Sequence, residues 1–154
     1  MNIKNYTSSV PVSTTVGRIE QMIADAGASG IRKEYVAGQP VCLIFEIAFA
    51  EGQPVLVRLP ANVESCLEAF WQDYRKNRGP RSNKGREEFR EQATRTAWKL
   101  QQDWVEVQLS LIRLKQQEFL QAFLPYVWDG TSTFYERLRG GGFKALLPAP
   151  KEAA

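Results

Sequence analysis

The sequence predicts an α+β fold, a three-stranded antiparallel meander packed against helices in the order α-β-β-β-α-α(long)-α. Residues 31–59 contain three segments in which apolar and polar side chains alternate, as in half-buried strands, and two short turns separate these segments. Residues 86–124 contain neither glycine nor proline and repeat apolar side chains at helical spacing. The chain has 154 residues, 44% of them hydrophobic, which is typical of one globular domain. We expect an extended N-terminal arm over residues 1–12, a single domain over 13–147 and a disordered tail over 148–154.

The first helix is predicted to begin near Ser13 or Thr14, because either hydroxyl can accept a hydrogen bond from a backbone N–H group of the first turn. Its apolar residues follow one another at helical spacing: Val16, Ile19, Ile23 and Ala26. Gly27 and the small residues after it end the helix. The residues before the helix show no periodicity, so we expect the arm to be poorly anchored.

Three strands are predicted at residues 31–36, 41–49 and 55–59, joined by turns at 37–40 and 51–53. The second strand is the clearest, with five apolar residues along one face: Val41, Leu43, Phe45, Ile47 and Phe49. Two short turns imply an antiparallel meander with one face buried by the long helix. The opposite face is expected to be partly exposed to water because it carries charged side chains: Arg32, Glu34, Glu46 and Arg58.

A second helix is predicted over residues 63–76, with Asn62 as its N-cap, followed by a loop at residues 77–85 that we call the connector. Residues 86–124 predict one continuous helix of about 58 Å. A break or a protruding end is equally consistent with the pattern, because that length exceeds the diameter of a compact domain of this size. A short helix is predicted at residues 133–139.

Two apolar rows run along the long helix. The first consists of Phe89, Ala93, Ala97, Leu100, Trp104, Val107, Leu111 and Leu114, and the second of Trp98, Val105, Ile112 and Phe119. The rows either pack the helix against both the sheet and the second helix, or leave part of its surface to pair with another subunit. We favour the second interpretation and expect a homo-oligomer that associates through the long helix.

The chain contains no histidine, which removes the usual general base, most zinc sites and the Ser-His and Cys-His nucleophile arrangements. Cys42 and Cys66 lie in apolar segments, and we interpret them as buried thiols of a reducing compartment, with a disulfide as the alternative. Gly140 to Lys144 lacks the pattern of a phosphate-binding loop and is better explained as a helix end. We expect no enzymatic activity, no metal and no cofactor; an enzyme using only carboxylates or lysine is a minor alternative.

The sequence shows neither a secretory signal in its first residues nor a segment that could span a membrane. Residues 1–6 lack the apolar segment of a secretory signal. No apolar run approaches the roughly 20 residues needed to span a bilayer. We therefore expect a soluble, cytoplasmic protein.

Positive charge is concentrated around the connector. Residues 75–90 hold seven basic and two acidic residues, an excess larger than the net charge of +3 of the whole chain. Basic side chains on a glycine-containing loop can follow a phosphate backbone, and bases can stack on the preceding Trp71 and Tyr74. The candidate nucleic-acid-binding residues are Arg75, Lys76, Arg78, Arg81, Lys84 and Arg86, together with Arg32 and Lys33. The alternative is a solvated loop whose aromatic neighbours belong to the core.

A smaller basic cluster lies near the C-terminus and consists of Arg137, Arg139 and Lys144. It either extends a basic surface or stabilises the C-terminal end of a helix, where the helix dipole favours positive charge. We do not include it among the candidate binding residues.

Three stretches carry a resemblance to known sequences: residues 13–28, residues 58–64 (RLPANVE), and residues 91–106 with EQA, RTAW and DWVE. They resemble small uncharacterised proteins encoded by phages and prophages, a resemblance that implies a context but no functional residues. Three strands followed by a helix are also similar, in order alone, to the core of single-strand annealing proteins. We therefore predict a non-enzymatic, phage-type nucleic-acid-binding protein that binds or anneals single strands. The alternative is a phage accessory factor that binds a host protein through its helical surface.

Overall fold

The computed structural model describes residues 1–48 and 52–152. Its helices are α1 (Val12–Asp25), α2 (Val63–Asn77), α3 (Arg90–Arg113), α4 (Phe119–Phe123) and α5 (Phe134–Gly140). Its strands are β1 (Ala28–Val36), β2 (Gln39–Ala48), β3 (Pro54–Pro60) and β4 (Val127–Trp128). The predicted α+β class and element order are confirmed, with α4 and β4 as additions. Among the described helices, none is both long and apolar enough to cross a membrane.

The strands form one antiparallel sheet in the order β1-β2-β3-β4, so the predicted meander is confirmed and one short strand extends it. On one face, Phe45 lies opposite Ile31 and Val57. On the other face, Ile44 lies opposite Arg32 and Arg58. The end of the predicted second strand, at Phe49, and the start of the following turn, at Glu51, lie outside the described residues.

One face of the sheet is covered by α1 and α3, as the alternation along β2 predicts. The shared core combines apolar side chains from both helices and two strands: Val16, Ile19, Ile23, Leu43, Phe45, Val57, Leu59, Trp98, Val105 and Leu109. The indole N–H of Trp98, which is fully buried, donates to the carbonyl of Pro40 at 2.9 Å. This hydrogen bond satisfies the only polar atom of the largest side chain in the core.

A second, smaller core lies between α2 and the first half of α3. It contains Cys66, Leu67 and Phe70 of α2 against Ala93 and Ala97 of α3. The two alanines come from the first apolar row, so that row packs against α2 in its N-terminal half, while the second row faces the sheet. Both cysteines are buried and free, and burial raises the pKa of the Cys42 thiol to about 11. The prediction of buried thiols is confirmed.

The long helix breaks, as one of the alternatives allowed. A 3₁₀ turn (Arg86–Phe89) precedes α3, and α3 ends at Arg113. At that end, Lys115 adopts a left-handed conformation with φ of 57°. The amide of Lys115 donates to the carbonyl of Ile112, and the next amide donates to the carbonyl of Leu111, both at 3.0 Å. This pattern is a Schellman motif, which closes the helix without the glycine that usually marks it.

The break lets aromatic side chains fold back onto the sheet. Phe123 of α4 is fully buried and makes edge-to-face contacts with Phe45 and Trp104, at centroid distances of 5.8 and 5.4 Å. Phe119 stacks on Phe123 at 4.5 Å. A continuous helix would carry both phenylalanines away from the sheet, so their burial stabilises the turn after α3.

The N-terminal arm differs from its prediction, because it is turned and anchored instead of extended and loose. Residues 4–7 form a turn. The hydroxyl of Thr96 donates to the carbonyl of Asn5 at 3.0 Å, and the side-chain amide of Gln92 donates to the carbonyls of Tyr6 and Ser8 at 2.8 and 3.0 Å. These bonds hold the arm along α3.

Two predicted helix caps are also different in the structure. Helix α1 begins at Val12 with Pro11 as its N-cap, so neither Ser13 nor Thr14 caps it. Asn62 occupies the N-cap position of α2, but its side chain makes no capping hydrogen bond. At α5, by contrast, Thr133 caps the helix in a capping box with Glu136. Residues 148–152 are exposed and without regular structure, and the last two residues of the predicted tail lie outside the described part.

Candidate nucleic-acid interface

Three half-buried aromatic rings form a row at the end of α2 and the start of α3. Trp71 stacks on Tyr74 with a centroid distance of 5.8 Å, and Tyr74 lies 5.2 Å from Phe89. We call these three residues the aromatic row. A cation lies over each end of it, the guanidinium of Arg75 at 5.9 Å from the Trp71 ring and the ammonium of Lys84 at 5.9 Å from the Phe89 ring. The aromatic row is therefore flanked by positive charge at both ends.

The connector is tied to this row by one phenol. The hydroxyl of Tyr74 lies 2.7 Å from the hydroxyl of Ser82 and accepts a hydrogen bond from the backbone N–H of Lys84 at 2.8 Å. These two hydrogen bonds, with the nearby positive charge of Arg78, lower the pKa of the Tyr74 phenol. The second half of the connector, at Ser82 and Lys84, is thus held against α2, although the connector has no regular structure.

Five of the predicted binding residues carry positive charge with no carboxylate partner within residues 1–48 and 52–152. We call them the basic cluster: Arg75, Lys76, Arg78, Arg81 and Lys84. All five are exposed. They belong to the last turn of α2 and the connector, and three of them, Arg75, Arg78 and Lys84, lie near rings of the aromatic row. Their charge is accessible to an anionic ligand.

Arg86, also predicted to bind, has a different environment. Its guanidinium forms ion pairs with Glu64 and Glu68 of α2 at 3.3 Å and with Glu87 at 3.2 Å. Arg90 pairs with Glu64 and Glu87 as well. We call Arg86 and Arg90 the paired arginines. Their hydrogen bonds lower the pKa of the Glu64 and Glu87 carboxyls, and the group fastens α3 to α2.

Arg32 and Lys33 are adjacent on β1 and therefore point to opposite faces of the sheet. Arg32 lies on the open face, 3.4 Å from Glu34 and over the Trp128 ring at 5.8 Å. Lys33 lies on the helix-covered side and pairs with Glu20 of α1 at 2.8 Å, which raises the pKa of its amine. The structure does not bring these two residues into the basic cluster.

The predicted exposed face of the sheet is charged, as expected, but it shields two apolar side chains. Arg58 pairs with Glu34 at 3.0 Å, and Arg32 pairs with the same carboxylate. Cys42 and Ile44 beneath them are buried, with 1% and 4% of their surface exposed. Arg32 and Arg58 lie directly opposite Ile44 on the neighbouring strands, where long side chains can cover an apolar neighbour and keep their charge in water.

The C-terminal basic cluster is partly neutralised. Arg137 forms an ion pair with Asp129 at 2.6 Å. Hydrogen bonds from the backbone N–H groups of Ser132 and Thr131 come first in lowering the pKa of Asp129 to about 2, and Arg137 adds to them. This group stabilises the turn before α5.

A cavity of about 450 Å³ opens beside the aromatic row. Its walls come from the arm, the end of α2, the connector and the start of α3, and it is lined by Tyr6, Phe70, Asp73, Tyr74, Arg78 and Phe89. The sequence did not predict it, because the arm was expected to be loose and Phe89 was expected only as part of the first apolar row of the long helix. In the described residues, no three histidine, cysteine, aspartate or glutamate side chains cluster as metal ligands would.

No protein-family model, curated protein or solved structure matches this chain.

Proposed function

We propose that this protein is a non-enzymatic nucleic-acid-binding protein of the cytoplasm that binds single strands, in keeping with its resemblance to phage-encoded proteins. The observation that carries the proposal is the aromatic row with cations of the basic cluster at both of its ends. Proteins that bind single strands combine a positively charged surface for the phosphates with aromatic side chains on which bases stack.

The arrangement favours a single strand over a duplex. Trp71, Tyr74 and Phe89 are half-buried rings at the surface, and a ring can stack only on a base whose face is open. In a duplex, both faces of each base are occupied by neighbouring base pairs. Phosphates along the same strand can then contact Arg78, Arg81 and the other members of the basic cluster. Annealing would follow if a strand held in this way keeps its pairing edges accessible.

The proposal is tested by measuring the affinity for labelled single- and double-stranded oligonucleotides by fluorescence anisotropy as salt is raised. We expect tighter binding of the single strand. If all five cations contact phosphates, log K falls against log salt with a slope of about −3.5, since each phosphate contact on a single strand contributes about −0.7. Absence of binding to either form at low salt would overturn the proposal.

A second function is supported by a different observation, on the outer surface of α3. The first apolar row continues beyond the end of α2, and there Val107 and Leu114 are 55% and 67% exposed, with Leu111 half-buried between them. This stripe supports self-association through the long helix, or binding of a host protein to the helical surface in the accessory-factor alternative. Charged substitutions at Val107 and Leu114 should reduce the mass measured by light scattering if the stripe joins two copies.

A further inference from the structure

The cavity beside the aromatic row contains polar groups that the phosphate-binding proposal does not use. We infer that it takes one unstacked base of the bound single strand and selects guanine over thymine, an inference that rests on the proposed function. The volume of about 450 Å³ lies within the range of about 300–1,000 Å³ that holds small ligands. The site thus suits a group of nucleoside size.

The walls of the cavity fit a flat aromatic group. Its aromatic lining consists of the buried ring of Phe70 and the half-buried rings of Tyr74 and Phe89. Tyr6, which is 44% exposed, lies on the side of the arm. Because the cavity adjoins the row on which we place stacked bases, a neighbouring base of the same strand can reach it.

The wall of the cavity carries donors, among them the guanidinium of Arg78, and also two groups with acceptor oxygens, Asp73 and Asn77. The side-chain amide of Asn77 donates to the backbone carbonyl of Asp73 at 3.0 Å and to one carboxylate oxygen at 3.4 Å. The N-terminal ammonium lies 4.0 Å from that same oxygen. The other carboxylate oxygen of Asp73 and the amide oxygen of Asn77 accept no hydrogen bond from any side chain in the described residues. Gln92, by contrast, is occupied, since it donates to the arm and accepts from Arg95.

Acceptors of this kind select the base. A carboxylate can accept two hydrogen bonds side by side, and the pairing edge of guanine presents two adjacent donors, the ring N–H and the exocyclic amine. The edge of thymine presents a single N–H between two carbonyl oxygens, which a carboxylate repels. Arg78, also on the wall, is placed to hold the phosphate attached to the inserted nucleotide.

The experiment compares oligothymidine with the same oligomer carrying one central guanine, using the full chain and anisotropy at one salt concentration. The guanine oligomer should bind about tenfold more tightly, near the low end of the discrimination that one bidentate contact gives. Replacing guanine with hypoxanthine removes the exocyclic amine and should abolish much of that gain. Asp73→Asn should remove the preference for guanine without weakening the binding of oligothymidine.

The control is Asp25→Asn, which makes the same change of charge at an exposed carboxylate at the end of α1. It should keep the preference for guanine. Equal affinity of the wild-type protein for both oligomers, or an unchanged preference in Asp73→Asn, would overturn the inference and leave the proposed function standing. Failure to bind any oligomer would overturn the proposed function, and the inference with it.

Discussion

The basic cluster and the paired arginines lie within sixteen residues of each other in the sequence, over positions 75–90, and carry the same charge, yet their environments are opposite. Arg78 and Arg81 are exposed and form no ion pair with a carboxylate among the described residues. Arg86 and Arg90 are surrounded by Glu64, Glu68 and Glu87. The first group can exchange salt ions for phosphates, whereas the second already has its counter-charges within the protein.

The count of basic residues over positions 75–90 therefore overstates the positive charge that is available to a ligand. Glu64 and Glu68 belong to α2 and lie one helical turn apart, so both face the start of α3. Releasing Arg86 to bind a phosphate would leave Glu64 paired with Arg90 alone and Glu68 without an ion pair in the described residues. No ion pair joins a cation of the connector to a carboxylate in the described residues, and Arg75 and Lys84 of the basic cluster lie over aromatic rings, which leave their charge accessible.

The largest effect is expected from reversing charge in the basic cluster. The triple variant Arg78→Glu, Arg81→Glu, Lys84→Glu removes three phosphate contacts and adds repulsion. We predict a loss of about 100-fold or more in affinity for single strands at low salt, and a salt slope smaller in magnitude by about 2. Anisotropy titrations at several salt concentrations measure both quantities.

The matched control changes two arginines and one lysine elsewhere: Arg113→Glu, Lys115→Glu and Arg139→Glu. These residues are exposed, and the net charge changes by the same amount. The control should bind almost as tightly as the wild type. An equal loss in both variants would show that net charge alone governs binding, and that the basic cluster is not a site.

A smaller effect is expected from Tyr74→Phe, which removes the hydrogen bonds to Ser82 and Lys84 but keeps the aromatic ring. The connector should then detach from the row, so trypsin should cleave after Arg81 and Lys84 faster than in the wild type. Affinity for single strands should fall by several-fold because the cations are no longer positioned. Tyr135→Phe, at an exposed tyrosine whose hydroxyl has no partner among the described side chains, is the control and should change neither rate nor affinity.

The smallest effect is expected from Arg90→Ala, and it concerns stability rather than binding. Hydrogen bonds from Arg90 lower the pKa of Glu64 and Glu87 below their ordinary value of 4.5 in the folded state. The unfolded chain therefore binds more protons as the pH falls, and the stabilisation is complete above about pH 5 and lost progressively below it. The effect is small because all these groups are exposed to solvent.

Urea unfolding at pH 7 and at pH 3 measures this contribution. Arg90→Ala should be slightly less stable than the wild type at pH 7, and the difference should shrink at pH 3. Affinity for single strands should be unchanged. A difference in stability that grows at acidic pH, or a large loss of affinity, would contradict the assignment of Arg90 to the structural group.

Much of the fold could be predicted because its signals are local. The alternation along β2 and the two apolar rows of α3 reflect burial on defined faces, and both patterns are visible in single segments. The end of α3 was harder to predict from the sequence, because Lys115 adopts the left-handed conformation there and a glycine is the usual signal for it. Strand β4 has two residues, too few to show alternation, and the arm is anchored through its backbone carbonyls, which have no sequence signature.

The candidate site could be predicted only where its charged residues lie close together in the sequence. The five residues of the basic cluster all lie within positions 75–84, so a count of charges along the sequence was enough to predict them. The ion pairs of Arg86 depend on Glu64 and Glu68, about twenty residues earlier, and only the packing of α2 on α3 brings them together. The separation of Arg32 from Lys33, in contrast, follows from the two-residue period of a strand and could have been predicted.

Lysine footprinting by acetylation and mass spectrometry tests most directly whether the basic cluster binds nucleic acid. The experiment is run with and without a single-stranded oligonucleotide. Lys76 and Lys84 belong to the basic cluster, while Lys115 and Lys144 are exposed elsewhere and act as controls in the same sample. We predict that the oligonucleotide protects Lys76 and Lys84 and leaves Lys115 and Lys144 as reactive as before. Equal protection of all four lysines, or protection of the control pair alone, would contradict the claim that the basic cluster is the nucleic-acid interface.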